Sequence, residues 1–225
     1  MAARRTLASL AVAGVVPALV IASAGTALAS PTSDLSKAKQ HARHAIDVRL
    51  QTLANDVRRV DKSASITAAH RDTLVGFIQT DLTGLRALRD KINADTNVTD
   101  VKADTAHIYA DYRVYALLNP QIATVLRGDS EASQASRLLG SIATTTGKNS
   151  YRQAQLAHAR TLLNDAETAA GAAESTVLGF TPAQVSDGVT PVAVVEARSS
   201  LSAVADDIAA ARNLIHAVRD SNDQS

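Results

Sequence analysis

Val194, Ala197, Leu201, Val204, Ile208, Ala211, Ile215 and Val218 recur at alternating intervals of three and four residues. On an α-helix these positions fall on one narrow apolar stripe, so residues 191–220 are predicted to form a long helix with coiled-coil-like periodicity. Such a stripe must be covered by other helices. Residues 151–178 carry the same spacing in Leu156, Ala159, Leu163, Ala166, Ala170, Ala173 and Val177. Most of these are small, and small seam residues let two helix axes approach toward the low end of the usual range of about 8–10 Å.

Three further helices are predicted from the same periodicity. Residues 33–61 place Ile46, Leu50, Leu53, Val57 and Val60 on one face, and Lys62-Ser63-Ala64-Ser65 breaks the pattern. Residues 67–93, opened by Thr67 as N-cap, carry Leu74, Ile78, Leu82, Leu85, Leu88 and Ile92. Residues 99–146 present Val101, Ile108, Tyr112 and Tyr115, then Ile122, Val125, Ala132, Ala135, Leu139 and Ile142. Pro120 interrupts this third helix and predicts a kink there, because proline lacks an N–H and crowds the preceding turn. Ser150 and Gln153 have the spacing of a capping box for the fourth helix. Thr181-Pro182-Ala183-Gln184 suits one short turn, and Thr190-Pro191 starts the last helix.

The expected fold is therefore all-α: an elongated antiparallel bundle of about five long helices in one domain, residues 30–225. Short connections favour a bundle closed within one chain over seams shared with a second. Alanine supplies roughly a fifth of the residues, while only 10 Gly and 5 Pro occur. With no Cys, disulfides, thiolate metal sites, lipid attachment and Cys nucleophiles are excluded together.

Residues 1–29 have the layout of an export signal. Arg4 and Arg5 precede an apolar run from Leu7 to Ala24, and Ala27-Leu28-Ala29 supplies a small-x-small cleavage pattern ending between Ala29 and Ser30. The competing reading is an uncleaved anchor, since about 18 apolar residues just span a bilayer. Gly14, Pro17 and the Ala-x-Ala end favour cleavage; nothing after Arg5 continues a twin-arginine signal and no cofactor calls for folded export, so general secretion is expected. Loss of Arg4 and Arg5 takes 23 basic residues to 21 against 22 acidic, a formal charge of −1. That balance gives no electrostatic reason to bind nucleic acid or an anionic membrane, and no second membrane segment follows.

Tyr109, Asp111, Tyr112, Arg113 and Tyr115 form the most distinctive cluster, holding three of the 4 tyrosines just before the proline. A ligand or partner site is one reading, because tyrosine joins apolar area to a hydroxyl that needs a partner. The other places Tyr112 and Tyr115 on the buried stripe as core anchors. Asp104, His107 and Asp111 share a helix face at the spacing used by carboxylate–histidine metal sites, but no Glu-x-x-His answers them from another helix. His41 and His44, near Asp47, read as an exposed pair. Arg127-Gly128-Asp129 spells an adhesion tripeptide inside a helical pattern, where chance is the better account. Nothing suggests a phosphate loop, a nucleophile elbow or a resident cofactor.

The run Asp111-Tyr112-Arg113-Val114-Tyr115 followed by Leu117-Leu118-Asn119-Pro120 resembles a segment of uncharacterised secreted α-helical proteins of actinobacteria. Thr67-Ala68-Ala69, Ala94-Asp95-Thr96 and Thr181-Pro182-Ala183 extend the likeness over most of the mature chain, and abundant Ala with more Arg than Lys fits a GC-rich source. His70, in place of an acidic residue, and Arg127-Gly128-Asp129, in place of an Ala-rich stretch, depart from it. The resemblance implies export and helical architecture and carries over no catalytic residue. The expectation is a secreted, non-enzymatic bundle, monomeric or weakly dimeric, with a structural or protein-interaction role at or outside the cell envelope. The alternatives are a small-ligand carrier at Tyr109, Tyr112 and Tyr115, and an enzyme using Asp104, His107 and Asp111.

Overall fold

The structure, a computed structural model, describes residues 31–145, 149–185 and 189–223. Residues 1–29 and the cleavage point at Ala29 and Ser30 lie outside the described residues. Helices α1 (Pro31–Lys62), α2 (Ala68–Ala94), α3 (Val98–Ala110), α4 (Asn119–Thr144), α5 (Ser150–Leu178) and α6 (Val192–Asp223) account for nearly all of them, and no strand occurs among the described residues. A π turn, Val114–Leu118, precedes α4, and a single 3-10 turn, Pro182–Gln184, follows α5. No described helix is long and apolar enough to cross a membrane.

Short polar side chains start the helices by accepting orphan backbone N–H groups of the first turn. Thr67 Oγ1 accepts from His70 N (3.3 Å), and Asn97 Oδ1 accepts from Asp100 N (2.9 Å). For α5 the cap is Asn149, which accepts from Arg152 N at 2.9 Å, so the start lies one residue before the Ser150 box expected from the sequence. The box geometry appears instead at the 3-10 turn, between Thr181 and Gln184.

The third predicted helix is realised as α3, the π turn and α4 along one path that bends by only 6°. The kink expected at Pro120 is thus small, for two reasons. Pro120 stands in the first turn of α4, where a missing N–H costs little. The turn before it is widened: Leu118 N bonds Arg113 O (3.2 Å) and Asn119 N bonds Val114 O, five residues back, which eases the crowding of the proline ring on the preceding turn.

Packing divides the helices into two groups joined by that path. In the first, α1 lies on α2 and both touch α3. Lys39 and Arg43 reach Asn93 (2.7 and 2.5 Å), whereas Asp47, one turn further along α1, meets Arg89. In the second, α5 and α6 form the most extensive helix pair and both lie on α4. Arg127 donates to Leu201 O (3.0 Å), Arg212 to Gln134 (3.1 Å) and Arg219 to Ser141 (2.5 Å), so α4 and α6 advance together. Every stripe residue predicted on α5 and α6 is buried. The two heptad seams are therefore filled from within the chain. Between Leu117 and Asp129, α4 is buried on nearly all sides, because both groups press on it.

Candidate functional site at the α3–α4 junction

The break between α3 and α4, closed by the π turn, organises the tyrosines. Helix α3 closes with Asp111 N bonded to His107 O (3.0 Å), and Arg113 leaves helical geometry at φ −79°, ψ 45°. Three non-helical residues followed by a five-residue hydrogen-bond step rotate everything after Ala110 off the register of α3. Tyr115 consequently leaves the stripe: it is 47% exposed, as is Tyr109. The core-anchor reading fails for Tyr115 and holds only in part for Tyr112, which is half-buried.

Tyr109 and Tyr115 flank a buried cation instead. The Arg49 guanidinium of α1 lies 4.6 Å from the Tyr109 ring centre and 5.3 Å from that of Tyr115. Contacts of this kind contribute roughly 0.5–2 kcal/mol each as desolvation increases. Arg49 Nη1 also donates to Ala45 O (3.0 Å), the Tyr115 hydroxyl meets Thr52 Oγ1 (3.2 Å), and Arg49 Nε has no partner among the described residues. Outside this clamp an open groove of about 570 Å³ runs along Tyr109, Tyr112 and Tyr115.

Tyr112 points the other way, across the backbone of α2 at Gly84. A Cβ at that position would sit 2.6 Å from Tyr112 Cε1 and 2.9 Å from Cζ, closer than packed carbon atoms allow. Alanine in a helix interior is normally favoured over glycine by about 1 kcal/mol. At Gly76, on the same helix, a Cβ would meet nothing within 4 Å. Gly76→Ala is thus expected to raise the unfolding free energy by roughly 0.5–1 kcal/mol. Gly84→Ala is expected to lower it by about 1–3 kcal/mol as the Tyr112 ring is pushed aside. Paired urea titrations of the two variants read the opposite signs.

Beneath the π turn lies a cavity of about 180 Å³, lined by Phe77, Asp81, Arg113, Leu118, Gln121 and Leu178 among others. Its walls come from α2, the π turn, the start of α4 and the end of α5. Gln121 fixes one side: its Nε2 donates to Val177 O (2.7 Å) and Phe180 O (3.0 Å), tying α4 to the last turn of α5 and the residues just after it. Burial alone pushes Asp81 from 3.8 up to about 6. No hydrogen bond or ion pair joins the Asp81 carboxylate or the Arg113 guanidinium to another described residue, and Arg113 Nε is buried. The cavity therefore combines apolar walls with one acid and one cation whose polar atoms are uncommitted.

The remaining sequence candidates do not converge. Asp104 is buried and accepts from Lys91 Nζ (2.6 Å), which raises the Lys91 pKa through that hydrogen bond and charge. His107 and Asp111 pair with each other at 2.8 Å, with more than half of each side chain in solvent. The three thus face two directions and form no common site. His41 and His44 are exposed. Gly128 and Asp129 are buried in α4, so the Arg127–Asp129 tripeptide is not displayed on a loop.

Sequence reasoning missed Arg49, Phe77, Asp81 and Gln121. Arg49 had a legible signal, since Ile46, Arg49, Leu53, Asp56 and Val60 complete a three-four series with two charges inside it. Both charges are buried in the structure. Asp81, between Ile78 and Leu82, carries a weaker form of the same signal. No protein-family model, curated protein or solved structure matches the chain.

Proposed function

We propose that this chain is an exported, non-enzymatic helical protein that carries a small aromatic or apolar molecule with a polar group, bound beneath the π turn. The cavity there is the observation that supports it. At about 180 Å³ it compares with an engineered apolar cavity of about 150 Å³ that takes up benzene. Phe77, Leu118 and Leu178 would cover the ring of such a ligand, while Asp81 and Arg113 would receive its polar end. The export-type residues 1–29 support action at or outside the envelope. The contacts that climb α1 as they descend α2 support an elongated antiparallel bundle. Filled seams on α5 and α6 support a monomer rather than an assembly built through those stripes.

Indole and toluene are suitable probes, used on chain recovered from culture medium, whose mass is expected to lack residues 1–29. Each is expected to raise Tm, since a ligand at one hundred times its Kd adds about 2.7 kcal/mol to the folded state. Leu178→Trp, which fills the cavity with an indole of its own, is expected to abolish the shift. No shift in the unaltered protein, or an equal shift in Leu178→Trp, overturns the carrier reading.

A second reading, a protein-interaction role, is favoured by the exposed Tyr109 and Tyr115 around Arg49. Aromatic side chains and arginine are common anchors of protein interfaces.

A further inference from the structure

Away from the cavity, His70 of α2, Asp129 of α4 and Glu174 of α5 come together, with one ligand-type atom from each lying within 4.8 Å of the others. His70 Nδ1 is 3.0 Å from Asp129 Oδ2 and 4.0 Å from Glu174 Oε2. We propose that these three side chains form a binding site for a divalent transition-metal ion of the zinc type, which ties α2 of the first helix group to α4 and α5 of the second.

The donor set fits that ion. Imidazole nitrogen with carboxylate oxygens suits zinc and its neighbours, while calcium and magnesium prefer oxygen alone. Metal–ligand bonds of about 2.0–2.2 Å place neighbouring donor atoms roughly 3–4 Å apart, the spacing His70 already makes to both acids. Three protein ligands leave a position for water or a bound group.

Two features show that the arrangement is more than three acids and bases meeting at a surface. Glu174 is only 5% exposed, and its Oε1 has no hydrogen-bond partner among the described residues. A buried carboxylate oxygen without a donor is costly, and a cation removes that cost. In addition, the Glu174 side chain lies across Gly128, where a Cβ would come within 2.8 Å of its Cγ and Cδ. A side chain at 128 would push the carboxylate out of this position. Asp129 is held in place by the N-cap of α2 as well, since Thr67 N donates to the same Oδ2 (3.2 Å).

This site is independent of the ligand cavity, and its test reads metal alone. Purified protein, treated with a chelator and then dialysed, is titrated with zinc chloride by calorimetry and by thermal melting. One ion per chain and a rise of several degrees in Tm, reversed by excess EDTA, are expected. His70→Ala and Glu174→Gln are each expected to weaken binding by at least about tenfold, the smallest loss seen when groups around a metal are altered. Glu174→Gln keeps the shape of the side chain, so its melting point without metal reports whether the fold is intact. The double variant His41→Ala/His44→Ala is expected to bind as the parent does. Absence of binding up to millimolar zinc, or loss of binding in the His41/His44 variant with retention in Glu174→Gln, overturns the assignment.

Discussion

Leu163→Ala is expected to lower the unfolding free energy by about 2–5 kcal/mol, read as a reduced urea midpoint with little change in slope. Leu163 is fully buried in α5, and its neighbours along the seam are Ala159, Ala166 and Ala170. Where adjacent seam residues are alanines, few side-chain atoms stand nearby to relax into the space that a truncated leucine leaves. The cost therefore falls toward the upper part of the range, since it grows with the volume of the cavity that remains. Val195→Ala on α6 is the matched control. Val195 is 49% exposed, one residue from the fully buried Val194, and its truncation is expected to change stability by no more than about 0.5 kcal/mol. Comparable losses at the two positions would mean that α5 and α6 do not meet along the predicted stripes.

Asp81→Asn is expected to stabilise the protein at neutral pH and to flatten part of its pH dependence. Burial raises Asp81 from 3.8 to about 6, so the folded state holds this proton more tightly than the unfolded chain does. The unfolded state consequently binds fewer protons between those values, and stability falls as pH rises from about 4 to 6. Below that window the carboxyl is neutral in both states and costs nothing extra. Above it the full penalty is present, at most about 3 kcal/mol, because a tenfold change in acid strength corresponds to about 1.36 kcal/mol. Partial solvent access makes about 1–2 kcal/mol the expected gain for Asp81→Asn at pH 7, with little effect at pH 4. Glu174 and Asp56 are shifted in the same direction, chiefly by burial, so some slope remains in the variant. Urea midpoints measured at pH 4, 5, 6 and 7 on both proteins test the sign. A variant that gains nothing at pH 7 would show that Asp81 is solvated or paired. A saturating cationic ligand in the cavity is expected to reverse the preference, because the ionised carboxylate then has a partner.

Much of the helical pattern was legible in the chain. All six stripe residues predicted on α2 are buried, as are all seven on α5 and all eight on α6. The reason is physical: a three-four spacing leaves a helix one apolar face, and nothing but another helix of the same kind covers it in an all-α chain. On α1 periodicity held in part: Ile46, Leu53 and Val60 are buried, but Leu50 and Val57 are half-buried and Arg49 and Asp56 hold the buried positions beside them. It failed at Tyr115. Periodicity assumes an unbroken register, and three non-helical residues with a π turn reset that register between Ala110 and Asn119.

The composition and spacing of residues by themselves determined that the chain is helical, roughly where its long helices run and which faces α2, α5 and α6 bury, because these depend on neighbours three and four apart. Only the tertiary structure decided what lies between helices. Arg49 meets Tyr109 and Tyr115 across 60 or more residues of sequence separation. Asp81 and Arg113 share a cavity with Leu178, and His70, Asp129 and Glu174 meet from three helices. Such meetings depend on the axial offset at which helices settle, and packing of whole faces sets that offset; no local spacing records it.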